Sequence, residues 1–287
     1  MNDEAAAATP QDQDGEDTVF PRGFLTAADS DLGRRFLADG YVIRPVGDDG
    51  ALQQIRTSIA GFAAQHLGVD LPGSADTFLN EIHQHVTVAD LNAMRLAVYN
   101  GINAEPWLRE AYFGLARESL EALVGNELAM QRRVNLSIQL PNDDSSLLPV
   151  HADVWSGDSP FEVVVWLPLV DCHRTKSMYL LPPGPDRIMS GRLQEFAPRS
   201  AEDLFKAIEP DVEWMDIRFG EVLVFAQSLM HGNRINLEPD TRWSMNCRFK
   251  SLFSPYADKR LGEFFEPITV RPATRLGMAY ELPGGFE

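Results

Sequence analysis

Two stretches of this chain alternate polar and apolar residues with a period of two. In MQRRVNLSIQL (130–140), Gln131, Arg133, Asn135, Ser137 and Gln139 alternate with Val134, Leu136, Ile138 and Leu140. In RWSMNCRFK (242–250), Arg242, Ser244, Asn246, Arg248 and Lys250 alternate with Trp243, Met245, Cys247 and Phe249. Successive side chains of a strand point to opposite faces, so each stretch predicts a strand with one polar and one apolar face. Between them FEVVVWLPLV, SMYLLP and EVLVFAQS, bounded by turn residues and rich in branched or aromatic side chains, predict three more. Several short strands with long polar faces predict a barrel or sandwich whose interior holds a ligand. The simpler use of a polar face is to meet solvent.

Upstream the period is helical. Asp29–Asp39 puts Leu32, Phe36 and Leu37 on one face, closes on Gly40 and runs into the strand YVIRPV. Ala51–His66, Val88–Tyr99 and Pro106–Leu123 predict further helices, the last with proline at its start and Gly125 just beyond its end. The expected class is mainly β with flanking helices, in one domain over 18–287. Residues 1–17 carry six acids and no base and are expected to form a disordered acidic tail.

The bulk properties exclude several function classes. A formal net charge of -17, from 42 acidic against 25 basic residues, repels phosphate backbones and argues against a nucleic-acid partner. The longest apolar run, near 163–170, is interrupted by Pro168 and falls far short of the roughly 20 residues of a membrane helix. The N-terminus lacks the basic flank and apolar core of a signal peptide, and the two cysteines, Cys172 and Cys247, read as core residues of a reducing compartment. A cytoplasmic protein with a small-molecule substrate is expected. Oligomeric state has no signal in the sequence.

The chemistry-bearing residues gather late in the chain. PVHADVWSG (149–157) sets His151 and Asp153 one residue apart, and on a strand both would face the same side. Such a pair is weak evidence alone. RFGEVLVFAQSLMHGN adds His231 just past a predicted strand, and two histidines with one carboxylate make the facial triad that holds Fe(II) and leaves three positions open. Eleven residues on, Arg242 and Ser244 share a strand face; a guanidinium is suited to a carboxylate, although a surface ion pair is the simpler use of one arginine. His83-x-His85 is a competing pair with no carboxylate or arginine arranged around it, and reads as structural or substrate-adjacent.

Taken in order, HADVW, WLPLVDCHRTKSMYLLPPG, FGEVLVFAQSLMHGN and DTRWSMNCRF resemble the successive signatures of Fe(II)/2-oxoglutarate-dependent dioxygenases of the phytanoyl-CoA hydroxylase-like branch. FLADGYVIRPV resembles that branch's first helix and strand, so the likeness spans roughly 25–250. The resemblance implies a double-stranded β-helix (jelly-roll, cupin-like), with His151, Asp153 and His231 as iron ligands and catalytic residues. It also implies Arg242 on the distal carboxylate of 2-oxoglutarate, Ser244 and Asn233 beside it, and O2 as second co-substrate. Asn135 and Trp166 are expected to line the co-substrate pocket, and Gln139, Trp155 and Arg174 the substrate side. The chain departs from the family at Lys176-Ser177 and PPGPD, which puts the shape of that loop in doubt.

The activity so implied is hydroxylation of an unactivated C–H bond, coupled to decarboxylation of 2-oxoglutarate to succinate. An intact Asp153 fits hydroxylation rather than halogenation, since related halogenases carry a small residue there. The pattern is also similar to a bacterial group associated with carbohydrate biosynthesis clusters, which implies a sugar, nucleotide sugar or glycan precursor as substrate. Gln131, Arg133, Gln139 and Arg248 argue against a purely apolar one. Alternatives are an amino-acid or secondary-metabolite hydroxylase, and a cupin-like metal enzyme that does not use 2-oxoglutarate and has no need of Arg242. A binding protein with a degenerate barrel would have no chemical reason to keep all three ligands. The segment 182–210, rich in charge, is long enough for an active-site lid or a plain surface excursion.

Overall fold

The structure, a computed structural model, describes residues 24–71 and 73–284; the expected acidic tail lies outside the described residues. The chain opens with helix α1 (Ala27–Asp39), whose first turn is capped by the Thr26 side chain accepting from the Asp29 N–H. It closes on Gly40 at φ 78, a left-handed conformation that favours glycine, and a Cβ there would have to displace Leu229 Cδ1. Strand β1 (Tyr41–Pro45) follows, then α2 (Asp49–Leu67), α3 (Ala75–Asn80), α4 (Val88–Ala104) and α5 (Leu108–Leu123). The last begins two residues later than the expected Pro106, because Trp107 occupies the cap.

The second part is β2 (Leu128–Gln131), β3 (Asn135–Gln139), β4 (Glu162–Pro168), β5 (Tyr179–Leu180), α6 (Pro183–Ser190), α7 (Ala201–Ile208), β6 (Glu213–Trp214), β7 (Glu221–Ala226), β8 (His231–Gly232), β9 (Arg242–Ser251), β10 (Phe265–Pro267) and α8 (Pro272–Met278). A seven-stranded sheet runs β1-β7-β4-β9-β2-β10, with β3 also paired to β9, and a smaller sheet runs β6-β5-β8. Every ladder is antiparallel. The two sheets with a cavity between them form the expected jelly-roll.

The apolar residues of β9 explain why the helices sit where they do. Trp243, Met245, Cys247 and Phe249 are fully buried and join one core with Ile55 and Ile59 of α2, Met94 and Val98 of α4, and Tyr112 and Leu115 of α5. Each large side chain so buried contributes roughly 1.5–3 kcal/mol. Two hydrogen bonds fix the docking: Tyr112 Oη donates to Val165 O at 2.9 Å, and Trp243 Nε1 to Leu79 O at 2.9 Å. With that face turned to the helices, the polar face of β9 must look into the space between the sheets.

The stretch 130–140 is two strands rather than the expected one. Met130 pairs with Phe249 and Asn135 with Asn246, five steps along one chain against three along β9, so two residues bulge out. An even insertion keeps the alternation in phase, but it expels Arg133 from the interior assigned to it. Arg133 is exposed, donates to Asn100 Oδ1 at 2.9 Å and lies over the Tyr99 ring.

The segment 182–210 contains α6 and α7 and docks on the small sheet. Leu204, Phe205 and Ile208 pack with Tyr179 and Met230 in a satellite core, and Asp186 Oδ1 accepts the Met230 N–H at 2.8 Å. None of its residues lines the cavity described next.

Candidate metal centre

His151, Asp153 and His231 converge at one end of the cavity, with one ligand atom from each lying within 4.8 Å of the others. The route differs from the sequence expectation. Asp153 does not share a strand with His151; it opens a short 3-10 turn, Asp153–Ser156. His151 forms an isolated antiparallel bridge with His231, with N–H to carbonyl distances of 3.0 and 2.8 Å in the two directions, and Ala152 between the ligands is extended. The Asp153 N–H donates to Gln227 O at 3.0 Å. Backbone hydrogen bonds thus tie each of the first two ligand residues to the 227–231 segment.

Hydrogen bonding also sets the tautomers. His151 Nδ1 lies 2.7 Å from Pro149 O and His231 Nδ1 2.8 Å from Leu229 O. A carbonyl only accepts, so each Nδ1 carries a proton and Nε2 is the nitrogen turned to the metal position, the usual device of a ligating imidazole. Those Nε2 atoms stand 3.6 and 3.9 Å from Asp153 Oδ1. Burial, reinforced by the neighbouring His151, pushes the His231 pKa down to about 4, so it is neutral and able to bind metal at physiological pH. The donor set of two imidazoles and one carboxylate fits a divalent transition metal such as Fe(II).

The cavity has a volume of about 470 Å³. Its wall includes the three triad residues, Arg242, Ser244, Asn246 and Arg248 from β9, Asn135 and Ser137 from β3, Trp166 from β4, Arg95 from α4 and the loop Ser145–Leu148. Arg242 is almost fully buried, and its nitrogens donate to Ser177 O at 3.2 Å and Ser137 Oγ at 3.0 Å. Among the described residues its Nε has no partner, nor has the buried Ser244 Oγ. No carboxylate pairs with Arg242 among the described residues, and burial alone pulls its pKa down to about 10. A desolvated guanidinium beside unpartnered donors is built to receive a carboxylate.

The other expected site residues divide. Asn135 and Trp166 line the cavity, Asn135 donating to Asn246 Oδ1 at 2.9 Å. Asn233 also reaches the wall, but its amide is committed: Oδ1 accepts from Leu148 N–H, and Nδ2 donates to Ser146 O at 3.2 Å and Gln139 Oε1 at 3.4 Å. It holds the 146–148 loop. The three residues expected on the substrate side do not line the cavity, a correction to that expectation. Gln139 is fully buried and donates to Arg234 O at 2.8 Å; Trp155 is exposed on the turn after Asp153; Arg174 borders a separate surface groove with Asp171 and Trp214. His83 Nδ1 contacts Thr241 Oγ1 at 3.1 Å and the His85 ring lies against Phe78, so that pair is structural.

Arg248 was legible only as part of a polar strand face, yet it makes a direct ion pair with the triad. Its Nη2 forms an ion pair with Asp153 Oδ2 at 2.7 Å. Its signal was parity, since it shares the β9 face with Arg242. Arg95 and the 145–148 loop carried no pattern of their own.

Fold and site together define a double-stranded β-helix with a two-histidine, one-carboxylate triad at the cavity end. Among solved structures the chain is similar to SnoK, the non-heme alpha ketoglutarate dependent carbocyclase from nogalamycin biosynthesis, with TM-score 0.52 and 16% identity over 86% of this chain and 97% of that one. It is also similar to HygX from Streptomyces hygroscopicus with nickel and 2-oxoglutarate bound (TM-score 0.48, 15% identity, 83% and 90% of the two chains). EctD from S. alaskensis with bound Fe gives TM-score 0.46 and 16% identity over 81% and 79%. The SnoK superposition assigns the fold. No protein-family model matches the chain, and no curated protein matches it in sequence.

Proposed function

We propose that the chain is an Fe(II)- and 2-oxoglutarate-dependent oxygenase, a single catalytic domain over 18–287 that hydroxylates a polar small molecule. The observation that carries this reading is the presence, in one cavity, of the triad and a buried arginine with no counter-charge among the described residues. His151, Asp153 and His231 would hold the metal; iron bound there supplies, with 2-oxoglutarate and O2, the oxidising power for C–H hydroxylation, with succinate and CO2 as co-products. Arg242 and Ser244 would receive the distal carboxylate of the co-substrate. Val164, Trp166 and Phe225 form an apolar part of the wall, which lowers the local dielectric around those charges.

The polar wall, with Asn135, Asn246 and Arg95, fits a substrate bearing hydroxyl or charged groups, and a sugar, nucleotide sugar or glycan precursor is our first choice. An amino acid or another secondary-metabolite intermediate would fit the same polarity. A cytoplasmic setting suits these substrates.

The test is anaerobic titration of the Fe(II)-loaded protein with 2-oxoglutarate, following the visible charge-transfer band, with Arg242→Ala alongside. Loss of a charge-assisted contact of about 1.5–3 kcal/mol predicts a Kd roughly 10- to 150-fold weaker in the variant. Iron binding without any band would favour the cupin-like reading in which 2-oxoglutarate has no part.

A further inference from the structure

The carboxylate of Asp153 is divided between two partners. Oδ1 faces both imidazole Nε2 atoms, at 3.6 and 3.9 Å, while Oδ2 is paired with Arg248 Nη2 at 2.7 Å. Arg248 is itself held from behind. Its Nε donates to Gln227 Oε1 at 3.1 Å and stands 3.2 Å from Asp158 Oδ1, and its Nη1 donates to Gln131 Oε1 at 3.3 Å. Asp158 is buried and paired with Lys259, and Gln227 is anchored through Nε2 to Glu162 Oε2 at 2.8 Å. The guanidinium is therefore fixed on both sides and cannot follow Oδ2 if that oxygen turns towards a metal.

Denticity matters to this site. Three single-atom protein ligands leave three of six octahedral positions, and a co-substrate that chelates through two atoms leaves one. A carboxylate that used both oxygens would take that last position. We infer that Arg248 is a positioning residue that holds Asp153 to one-oxygen coordination and so keeps open the position an O2 molecule needs. The inference rests on the metal-centre reading above.

The discriminating measurement uses nitric oxide as the probe for the open position, added anaerobically to protein loaded with Fe(II) and 2-oxoglutarate and followed by the high-spin iron-nitrosyl EPR signal. Arg248→Met removes the charge at similar length. Deleting a positive charge beside a dication does not weaken metal binding electrostatically, so Fe(II) affinity is expected to be kept or raised, while nitric oxide binding falls about tenfold. Arg248→Lys, which keeps a cation near Oδ2, is expected to restore most of it. A merely structural arginine would lose iron, nitric oxide and thermal stability together, and that parallel loss would overturn the inference. So would nitric oxide binding equal to wild type at matched iron loading. Should Arg248→Met fail to fold, Asp158→Asn, which loosens the guanidinium from behind, is expected to shift nitric oxide binding in the same direction by less. Wild-type protein that binds no Fe(II) would remove the metal-centre reading itself, and the inference with it.

Discussion

Arg242 separates the demands of folding from those of the site. Its depressed pKa of about 10 says that burial disfavours the charged form in the folded state relative to the unfolded chain, where the proton is held more tightly. At neutral pH the folded protein therefore carries a cost, on the order of 3 kcal/mol for a fully buried group, from keeping that charge. Two hydrogen bonds, to Ser177 O and Ser137 Oγ, offset part of it at about 1 kcal/mol each. Replacing the side chain by one of similar size without charge, Arg242→Met, is accordingly expected to stabilise the metal-free, co-substrate-free protein by about 1–2 kcal/mol in denaturant titration. Added to the Fe(II)-loaded proteins, 2-oxoglutarate should stabilise the wild type by more than the variant. A variant less stable than wild type without ligand would mean that Arg242 serves the fold and not a ligand.

Among the elements, a two-residue strand carries a constraint imposed by backbone. Strand β8 is only His231–Gly232, and a Cβ at Gly232 would lie 2.6 Å from Tyr179 Oη and 2.8 Å from Leu148 O. The first belongs to a fully buried ring packed on Phe205 and Trp214, and the second is backbone of the cavity loop, which Asn233 holds in place. Gly232→Ala is therefore expected to cost about 1–3 kcal/mol in stability and to weaken Fe(II) binding by spoiling the His151–His231 bridge. Wild-type melting and iron affinity in that variant would show that the loop yields freely. Nothing in the sequence marked this glycine, because its constraint comes from a neighbouring strand and a loop more than 80 residues away. What was legible followed from periodicity: the two faces of β9, the buried run of β4 and the helices α1, α2, α4 and α5 appear where alternation and the helical period placed them, whereas α3, α6, α7 and α8 were not marked. Register and bulges depend on the partner strand, so the break at 132–134 and the outward turn of Arg133 were not legible. For the same reason Gln139 and Arg174 could be placed on strands and turns but not relative to the cavity. The triad residues were legible because the ordered motifs that carry them resemble a known family, whereas Arg248 looked like any other polar residue of a strand until the fold brought it to Asp153.

Taken as a whole, the molecule sets two fields against each other. The formal net charge is -17, yet the cavity wall carries Arg95, Arg242 and Arg248. A dianion such as 2-oxoglutarate meets the long-range repulsion first and the local attraction only near the mouth. Salt screens the two unequally, since the Debye length is about 30 Å at 0.01 M and about 8 Å at 0.15 M, while contacts inside a buried cavity are little affected. Association of 2-oxoglutarate with the Fe(II)-loaded protein is therefore expected to speed up severalfold, on the order of two- to fivefold, as ionic strength rises between these values, with the dissociation rate nearly constant. Most enzymes that collect anions through a basic surface would show the reverse. A chain beginning at residue 18 lacks six of the acids and should show a smaller salt effect in anaerobic stopped-flow measurements. An association rate that falls with salt would mean that the three arginines govern the approach as well as the contact.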